Sequence, residues 1–185
     1  MLASRRQILA LLGWAAAAPA WAQEMSRTTA YAFSFAGLEG GRVRLADYAG
    51  KPILLVNVAS QCGYTPQYAG LQELWRRYHA RGLMIIGVPS NDFNQEPGGA
   101  AEILATAHRQ YSVSFPLTAK VTLRGDDAHP FYQWAALARP LDTPRWNFHK
   151  YLIGRDGRIA AAFPTRIEPM DARVIEAIVK ELGPD

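Results

Sequence analysis

A nearly unbroken apolar run at residues 53–59 constrains this chain more than any other stretch of its sequence. The run is too short for a free-standing helix and lies between Pro52 and Ser60, so it predicts a strand that is buried on both faces. A turn with Cys62 follows, and Thr65 and Pro66 then resemble the N-cap and first position of a helix. The pattern therefore predicts a thiol between the carboxyl end of a central strand and the start of a helix.

Cys62 is the only cysteine among the 185 residues, which excludes an intramolecular disulfide. Backbone N–H groups and the positive end of a helix dipole favour a thiolate at such a position. A lone cysteine is more often a small buried hydrophobe. The turn with Gly63, Thr65 and Pro66 nevertheless favours a reactive, accessible thiol.

The first 22 residues have the composition of a secretory signal rather than of a fold. Arg5 and Arg6 precede an apolar stretch at residues 8–18, and an Ala-Trp-Ala sequence at residues 20–22 fits a cleavage site. The paired arginines resemble a twin-arginine signal for the export of folded proteins. An ordinary secretory signal and an uncleaved anchor are the alternatives. We expect a bacterial periplasmic protein whose single domain spans residues 23–185.

The remaining pattern alternates strands and helices. After an edge hairpin with strands at residues 31–35 and 43–45, we predict strand 53–59, helix 67–80, strand 83–88 parallel to the first, and helix 100–110. A weaker strand and helix (115–121 and 129–137), a final pair of strands (146–153 and 159–163) and a helix capped by Asp171 complete the chain. This order predicts an α/β, thioredoxin-like fold: a central mixed sheet flanked by helices.

Several separated blocks together resemble the glutathione peroxidase family. They are NVASQCGYTPQYAGLQEL, GVPSNDFNQEPGG, FPL with a lysine soon after, HPFYQWA and WNFHKYLIGRDG, and the resemblance spans residues 32–182. It implies a thioredoxin-like peroxidase in which cysteine or selenocysteine reduces hydroperoxides with the help of a glutamine, a tryptophan and an asparagine. Matched block by block, the implied catalytic residues are Cys62, Gln95, Trp146 and Asn147.

The chemistry of these residue types agrees with that implication. A thiolate attacks one peroxide oxygen, and the other oxygen leaves as an alkoxide or hydroxide that needs a proton. The Trp146 indole and the Gln95 and Asn147 amides offer N–H donors without a competing charge. Without the resemblance, Gln95 would be interpreted as a surface loop residue, and Trp146 and Asn147 as structural.

Relatives that use thioredoxin carry a second, resolving cysteine on the helix after the QEPG block, and this chain has none. The resemblance therefore implies that an external thiol, glutathione or a cysteine of a partner protein, reduces the Cys62 sulfenic acid. No bound cofactor is expected. The connection at residues 137–146 lacks the insertion found in tetrameric animal members. We therefore expect a monomer that is open to lipid hydroperoxides as well as to hydrogen peroxide.

The formal charge of +4, which includes Arg5 and Arg6, gives no indication of nucleic acid as a partner. The four histidines are scattered without metal-ligand spacing, so we interpret them as surface or core residues and expect no metal site. Lys120 and Lys150 are interpreted as solvated or snorkelled, although a basic residue near the cleft could hold an acidic thiol.

Two other classes of function stand beside the peroxidase. A thiol-disulfide oxidoreductase needs a second cysteine three residues after the first, where Thr65 lies. A redox sensor or partner-binding module on the same fold needs the cysteine but no turnover. Steady-state consumption of peroxide with a thiol reductant distinguishes the enzyme from such a module.

Overall fold

The computed structural model describes residues 27–184, and the signal predicted at residues 1–22 lies outside them. The strands are β1 (Ser34–Ala36), β2 (Arg42–Arg44), β3 (Ile53–Val58), β4 (Met84–Pro89), β5 (Lys150–Ile153) and β6 (Ile159–Phe163). The helices are α1 (Gln67–Tyr78), α2 (Ala100–Leu104, continued by a π-helical segment at Ala105–Gln110), α3 (Pro130–Ala138) and α4 (Ala172–Leu182).

The four longer strands form one mixed sheet in the order β4-β3-β5-β6. Strand β3 lies in its interior, parallel to β4 and antiparallel to β5. Every residue of β3 is buried, as expected for a continuous apolar strand covered on both faces. The prediction of an α/β, thioredoxin-like fold with a central mixed sheet is confirmed.

Alternate residues of β3 enter two separate cores because side chains along a strand point to opposite faces. Leu54 and Val56 pack in a cluster with residues of α1 and α4. Ile53 and Leu55 pack in a second cluster with residues of α3. Helices therefore cover both faces of the sheet, and the two loops that follow β3 and β4 extend from the same edge.

Three predicted elements differ from the structure. The predicted hairpin forms, but β1 and β2 pair only with each other in a separate two-stranded sheet, and the first strand begins at Ser34 after a short 3₁₀ helix. Residues 115–121 make isolated bridges only, one of them between Gly87 and Leu117, since Pro116 has no N–H to extend a ladder. The strand predicted at residues 146–153 begins only at Lys150, because Phe148 adopts a left-handed backbone with φ of 62°.

The helix ends lie where the sequence predicted them, unlike the three elements above. Gly82 ends the first helical segment with a φ of 110°, a conformation that glycine adopts at little cost. The Asp171 side chain accepts a hydrogen bond from the Arg173 N–H and so caps α4 as predicted. Within residues 27–184, no helix has the length and apolar character needed to cross a bilayer.

Candidate active site

Cys62 lies four residues beyond β3, in the turn that leads to α1. Its side chain is 7% exposed, which is less than the open turn predicted from the sequence, while the neighbouring Gly63 and Tyr64 are exposed. The Tyr64 N–H donates to the Cys62 Sγ across 3.4 Å. A backbone donor aimed at the sulfur stabilises negative charge on it.

Thr65 does not cap α1, which corrects the sequence prediction. Its hydroxyl donates to the Ala59 carbonyl at 2.9 Å and accepts from the Cys62 N–H at 3.1 Å. Pro66 occupies the N-cap position with a helical backbone and provides no side-chain hydrogen bond. Thr65 therefore closes the turn around Cys62 instead of satisfying the first N–H groups of the helix.

The loop after β4 brings Gln95 next to the cysteine turn. The Gln61 N–H donates to the Gln95 carbonyl at 3.0 Å. One residue further on, the Glu96 carboxylate accepts from both the N–H and the hydroxyl of Ser60, at 2.7 and 2.8 Å. Three hydrogen bonds thus join the residues before Cys62 to the Gln95 loop.

Glu96 is a buried acid that the sequence analysis did not identify. Its side chain is 1% exposed, and burial raises the pKa of its carboxyl, although the two hydrogen bonds from Ser60 act in the opposite direction. Lys120, although exposed, donates from its ammonium to the Glu96 and Gly98 carbonyls. Lys120 therefore braces the loop of Gln95 rather than being simply solvated.

Trp146 and Asn147 lie on a turn that crosses the end of β3. The Asn147 side chain is fully buried and donates from Nδ2 to Gln95 Oε1 at 3.2 Å. Trp146 is 39% exposed, and its ring packs against Phe93, with 5.3 Å between centroids. The structure therefore brings Asn147 into direct contact with Gln95, with Trp146 next to them at the surface.

Free donors remain at this junction. In the part of the chain that the structure describes, neither Gln95 Nε2 nor Trp146 Nε1 donates a hydrogen bond to protein. The Gln95 carbonyl oxygen is already occupied by Asn147, which fixes the orientation of the amide. Asn147 therefore orients Gln95, and the Gln95 amide and Trp146 indole retain N–H groups for a bound oxygen atom.

Asn57 holds the turn in place, and the sequence analysis missed it. The Asn57 side chain donates to the Trp146 carbonyl and accepts from the His149 N–H, at 3.2 and 3.0 Å. Its backbone also bonds to Phe148 and His149. The one available signal was an amide within the otherwise apolar stretch 53–59.

Lys150 is also missed, and its expected exposure is wrong. Its side chain is fully buried in β5, where Nζ donates to Gln67 Oε1 and to the Phe148 and Ile167 carbonyls, each at 2.7 Å. The sequence pattern, a lysine within an apolar strand, fits a side chain that reaches the solvent. The three oxygen atoms that Lys150 binds become apparent only in the folded structure. No group of three or more metal-binding side chains occurs among residues 27–184.

Comparisons with known proteins show which family this chain resembles. The sequence model of the glutathione peroxidase family matches residues 30–136. The chain is 40% identical over 154 residues to hydroperoxy fatty acid reductase gpx1 of Synechocystis sp., covering 78% of this chain and 91% of the relative. It is 39% identical over 156 residues to the glutathione peroxidase of Lactococcus lactis subsp. cremoris, covering 82% and 98%.

A crystal structure of Trgpx in its apo form aligns with a TM-score of 0.67 at 30% identity, covering 84% of this chain and 96% of that one. Together with the family match, these similarities extend over most of the chain. The chain therefore belongs to the glutathione peroxidase family.

Proposed function

We propose that this protein is a thiol-dependent peroxidase that reduces hydrogen peroxide and organic or lipid hydroperoxides, with Cys62 as its nucleophile. The protein is a glutathione peroxidase-like oxidoreductase by its family. The assignment of roles to individual residues rests on the hydrogen bonds that join the Cys62 turn to Gln95 and Gln95 to Asn147. These bonds connect the three loops on which the Cys62 sulfur and the N–H donors lie, which supports the assignment.

The reaction follows from these groups. The Cys62 thiolate attacks one peroxide oxygen, an S–O bond forms, and the O–O bond breaks. The departing oxygen takes up a proton and leaves as an alcohol or as water, while Cys62 becomes a sulfenic acid. N–H donors of Gln95 and Trp146 stabilise the negative charge that develops on the leaving oxygen.

An external thiol completes the cycle because this chain has no second cysteine. A first thiol attacks the sulfenic sulfur, releasing water and forming a mixed disulfide, and a second thiol then restores the Cys62 thiol. Glutathione or a cysteine of a partner protein can fill this role without a bound cofactor. The similarity to the glutathione peroxidase of Lactococcus lactis supports glutathione as one such thiol.

Lipid hydroperoxides fit the surface around the sulfur. Tyr64 and Trp146 are 38% and 39% exposed, and Tyr64 lies two residues from Cys62. Exposed aromatic rings beside a reacting group give apolar contact to a substrate chain. The similarity to a hydroperoxy fatty acid reductase supports the same class of substrate.

Export to a bacterial periplasm and a monomeric state complete the proposal. The arginine pair and apolar stretch at residues 1–22 support export, with the twin-arginine route favoured by the paired arginines. The short connection between α3 and Trp146 leaves the site without an insertion of its own chain to cover it. The protein would then act in the response to oxidative stress outside the cytoplasm.

A peroxide sensor without turnover is the second candidate. The 7% exposure of Cys62 and the lack of a second cysteine favour it, since a shielded sulfenic acid persists longer. The two functions differ in whether peroxide continues to be consumed after one equivalent per protein.

The test is steady-state peroxide reduction by the purified protein, run separately with glutathione and with thioredoxin, on hydrogen peroxide and on a fatty acid hydroperoxide. We expect multiple turnovers with at least one reductant and complete loss in Cys62→Ser. Removal of the donors in Gln95→Met or Trp146→Phe should lower kcat/KM by about 10²-fold, the usual effect of losing one such donor. Full activity of Cys62→Ser would refute the mechanism, and a single turnover would favour the sensor.

A further inference from the structure

Lys150 is a charged side chain in the core that the proposed reaction does not use. It is fully buried, and its three hydrogen bonds go to oxygen atoms at 2.7 Å. An ammonium has three N–H donors and a neutral amine has two, so the three acceptors match the charged form. Burial of a charge without such partners would be strongly unfavourable.

The three acceptors belong to three separate segments next to the candidate site. Gln67 is the first residue of α1, which follows the Cys62 turn. Phe148 comes directly after Trp146 and Asn147, and Ile167 lies between β6 and α4. The last segment also reaches the site itself, because the Thr165 hydroxyl donates to the Asn147 carbonyl at 2.7 Å. One ammonium therefore connects the start of α1, the Trp146–Asn147 turn and the segment before α4.

Phe148 shows why the turn needs this support. Its φ of 62° lies in the left-handed region, which is unfavourable for a bulky side chain and persists only where surrounding contacts impose it. Its N–H donates to the Asn57 carbonyl at 2.6 Å, and its own carbonyl accepts from Lys150. Because Phe148 reverses the chain after Asn147, its conformation sets the direction of the Asn147 and Trp146 side chains.

The charge of Lys150 is itself adjustable near neutral pH. Burial lowers the pKa of Lys150 to about 7, and the exposed Glu168 carboxylate acts in the opposite direction. The neighbouring His149 has a pKa lowered to about 4 by burial and by Lys150, so it is neutral throughout the range of interest. Glu168 is thus the charged neighbour through which the protonation of Lys150 can be tuned.

We propose that Lys150 is a positioning residue for the peroxidase reaction: its ammonium fixes the Trp146–Asn147 turn relative to Cys62 by binding Gln67, Phe148 and Ile167 together. The proposal rests on the proposed function but adds a residue that touches neither peroxide nor thiol. Loss of the third donor above neutral pH frees one of the three acceptors and loosens the turn.

The first test is Lys150→Met, which keeps the length of the side chain without its donors. The second-order rate constant for oxidation of Cys62 by hydrogen peroxide should fall by at least about tenfold at pH 6, because small displacements of a reacting group have large effects on rate. The ratio of wild-type to variant rate constants should decrease as the pH rises above about 7, where Lys150 loses its charge and one of its three donors.

The second test leaves Lys150 in place and so does not depend on whether the methionine variant folds. Glu168→Gln keeps an acceptor for the Gln67 side chain at 3.4 Å and removes the charge that supports the ammonium. The fall in rate attributed to Lys150 should then occur at lower pH than in the wild type. Glu176→Gln, on the exposed face of α4, is the matched control and should leave the profile unchanged.

Equal rates for folded Lys150→Met and wild type would overturn the proposal, as would identical pH profiles for Glu168→Gln and Glu176→Gln. Neither outcome would affect the proposed peroxidase, which is tested separately by the turnover of the wild type and of Cys62→Ser. Inactivity of the wild type itself with every peroxide and thiol would overturn both.

Discussion

His149 should make this fold sensitive to mild acid. Its ring is buried and meets the Tyr151 ring edge-on, with 4.7 Å between centroids. Within residues 27–184, its Nε2 has no hydrogen-bond partner. Protonation would therefore place a charged N–H in the core without an acceptor, which is why burial lowers the pKa of His149 to about 4.

The loss of stability in acid follows from the difference between the pKa of His149 in the folded chain and in the unfolded chain. The unfolded chain binds a proton at His149 near its ordinary pKa of 6.5, and the folded chain does so only near 4. Stability from the neutral ring is thus complete above about pH 6.5 and is lost as the pH falls towards 4. The full difference is about 3 kcal/mol, of which about 2 kcal/mol is lost between pH 7 and pH 4.5.

Urea unfolding at pH 7, 5.5 and 4.5 measures this loss. With a urea slope of about 2 kcal/mol/M, the midpoint should fall by about 1 M more in the wild type than in His149→Phe between pH 7 and pH 4.5. The phenylalanine variant keeps an aromatic contact with Tyr151 but cannot titrate. His108→Asn, at an exposed histidine, should behave as the wild type. An equal pH dependence in His149→Phe and the wild type would refute the role of the buried ring.

Two further substitutions test the packing around the site. Thr65→Val should lower the free energy of unfolding by roughly 2 kcal/mol relative to Thr65→Ser. Valine leaves the Ala59 carbonyl and the Cys62 N–H without the hydroxyl that both of them bind. Equal urea midpoints for the two variants would contradict this. Gly37→Ala should destabilise the β1–β2 hairpin by about 1–3 kcal/mol, since a Cβ there would lie only 2.3 Å from the Gly40 carbonyl oxygen, and an unchanged melting temperature would show that the turn can adjust.

The fold could be predicted because its main signals are local. The apolar stretch at residues 53–59, the glycine at position 82 and the cap at Asp171 each act within a few residues, and the structure contains the elements they indicate. The long separation in sequence between the parallel strands β3 and β4 likewise indicated a helical crossover.

The supports of the site could not be predicted, because they depend on contacts between distant segments. Thr65 has the sequence signature of a cap, but a carbonyl six residues back and the N–H of Cys62 compete for its hydroxyl. The sequence around Lys150 indicates a solvated side chain. Its acceptors on Gln67 and Ile167 come from distant segments that only the folded chain places next to it. The location of Gln95 next to Asn147 was implied by family resemblance and not by any local pattern.

The pairing of β3 with β5 has a consequence for the way this protein is made. Ile53 lies opposite Ile153, one hundred residues further along the chain, so the middle of the sheet closes only after nearly the whole polypeptide has been synthesised. Long-range pairing of this kind slows folding and leaves an apolar strand edge unprotected in the meantime. A nascent or truncated chain that ends before residue 146 contains the thiol without its tryptophan and asparagine. The late pairing of β5 with β3 therefore covers the exposed strand and also brings Trp146 and Asn147 to the part of the chain that contains Cys62.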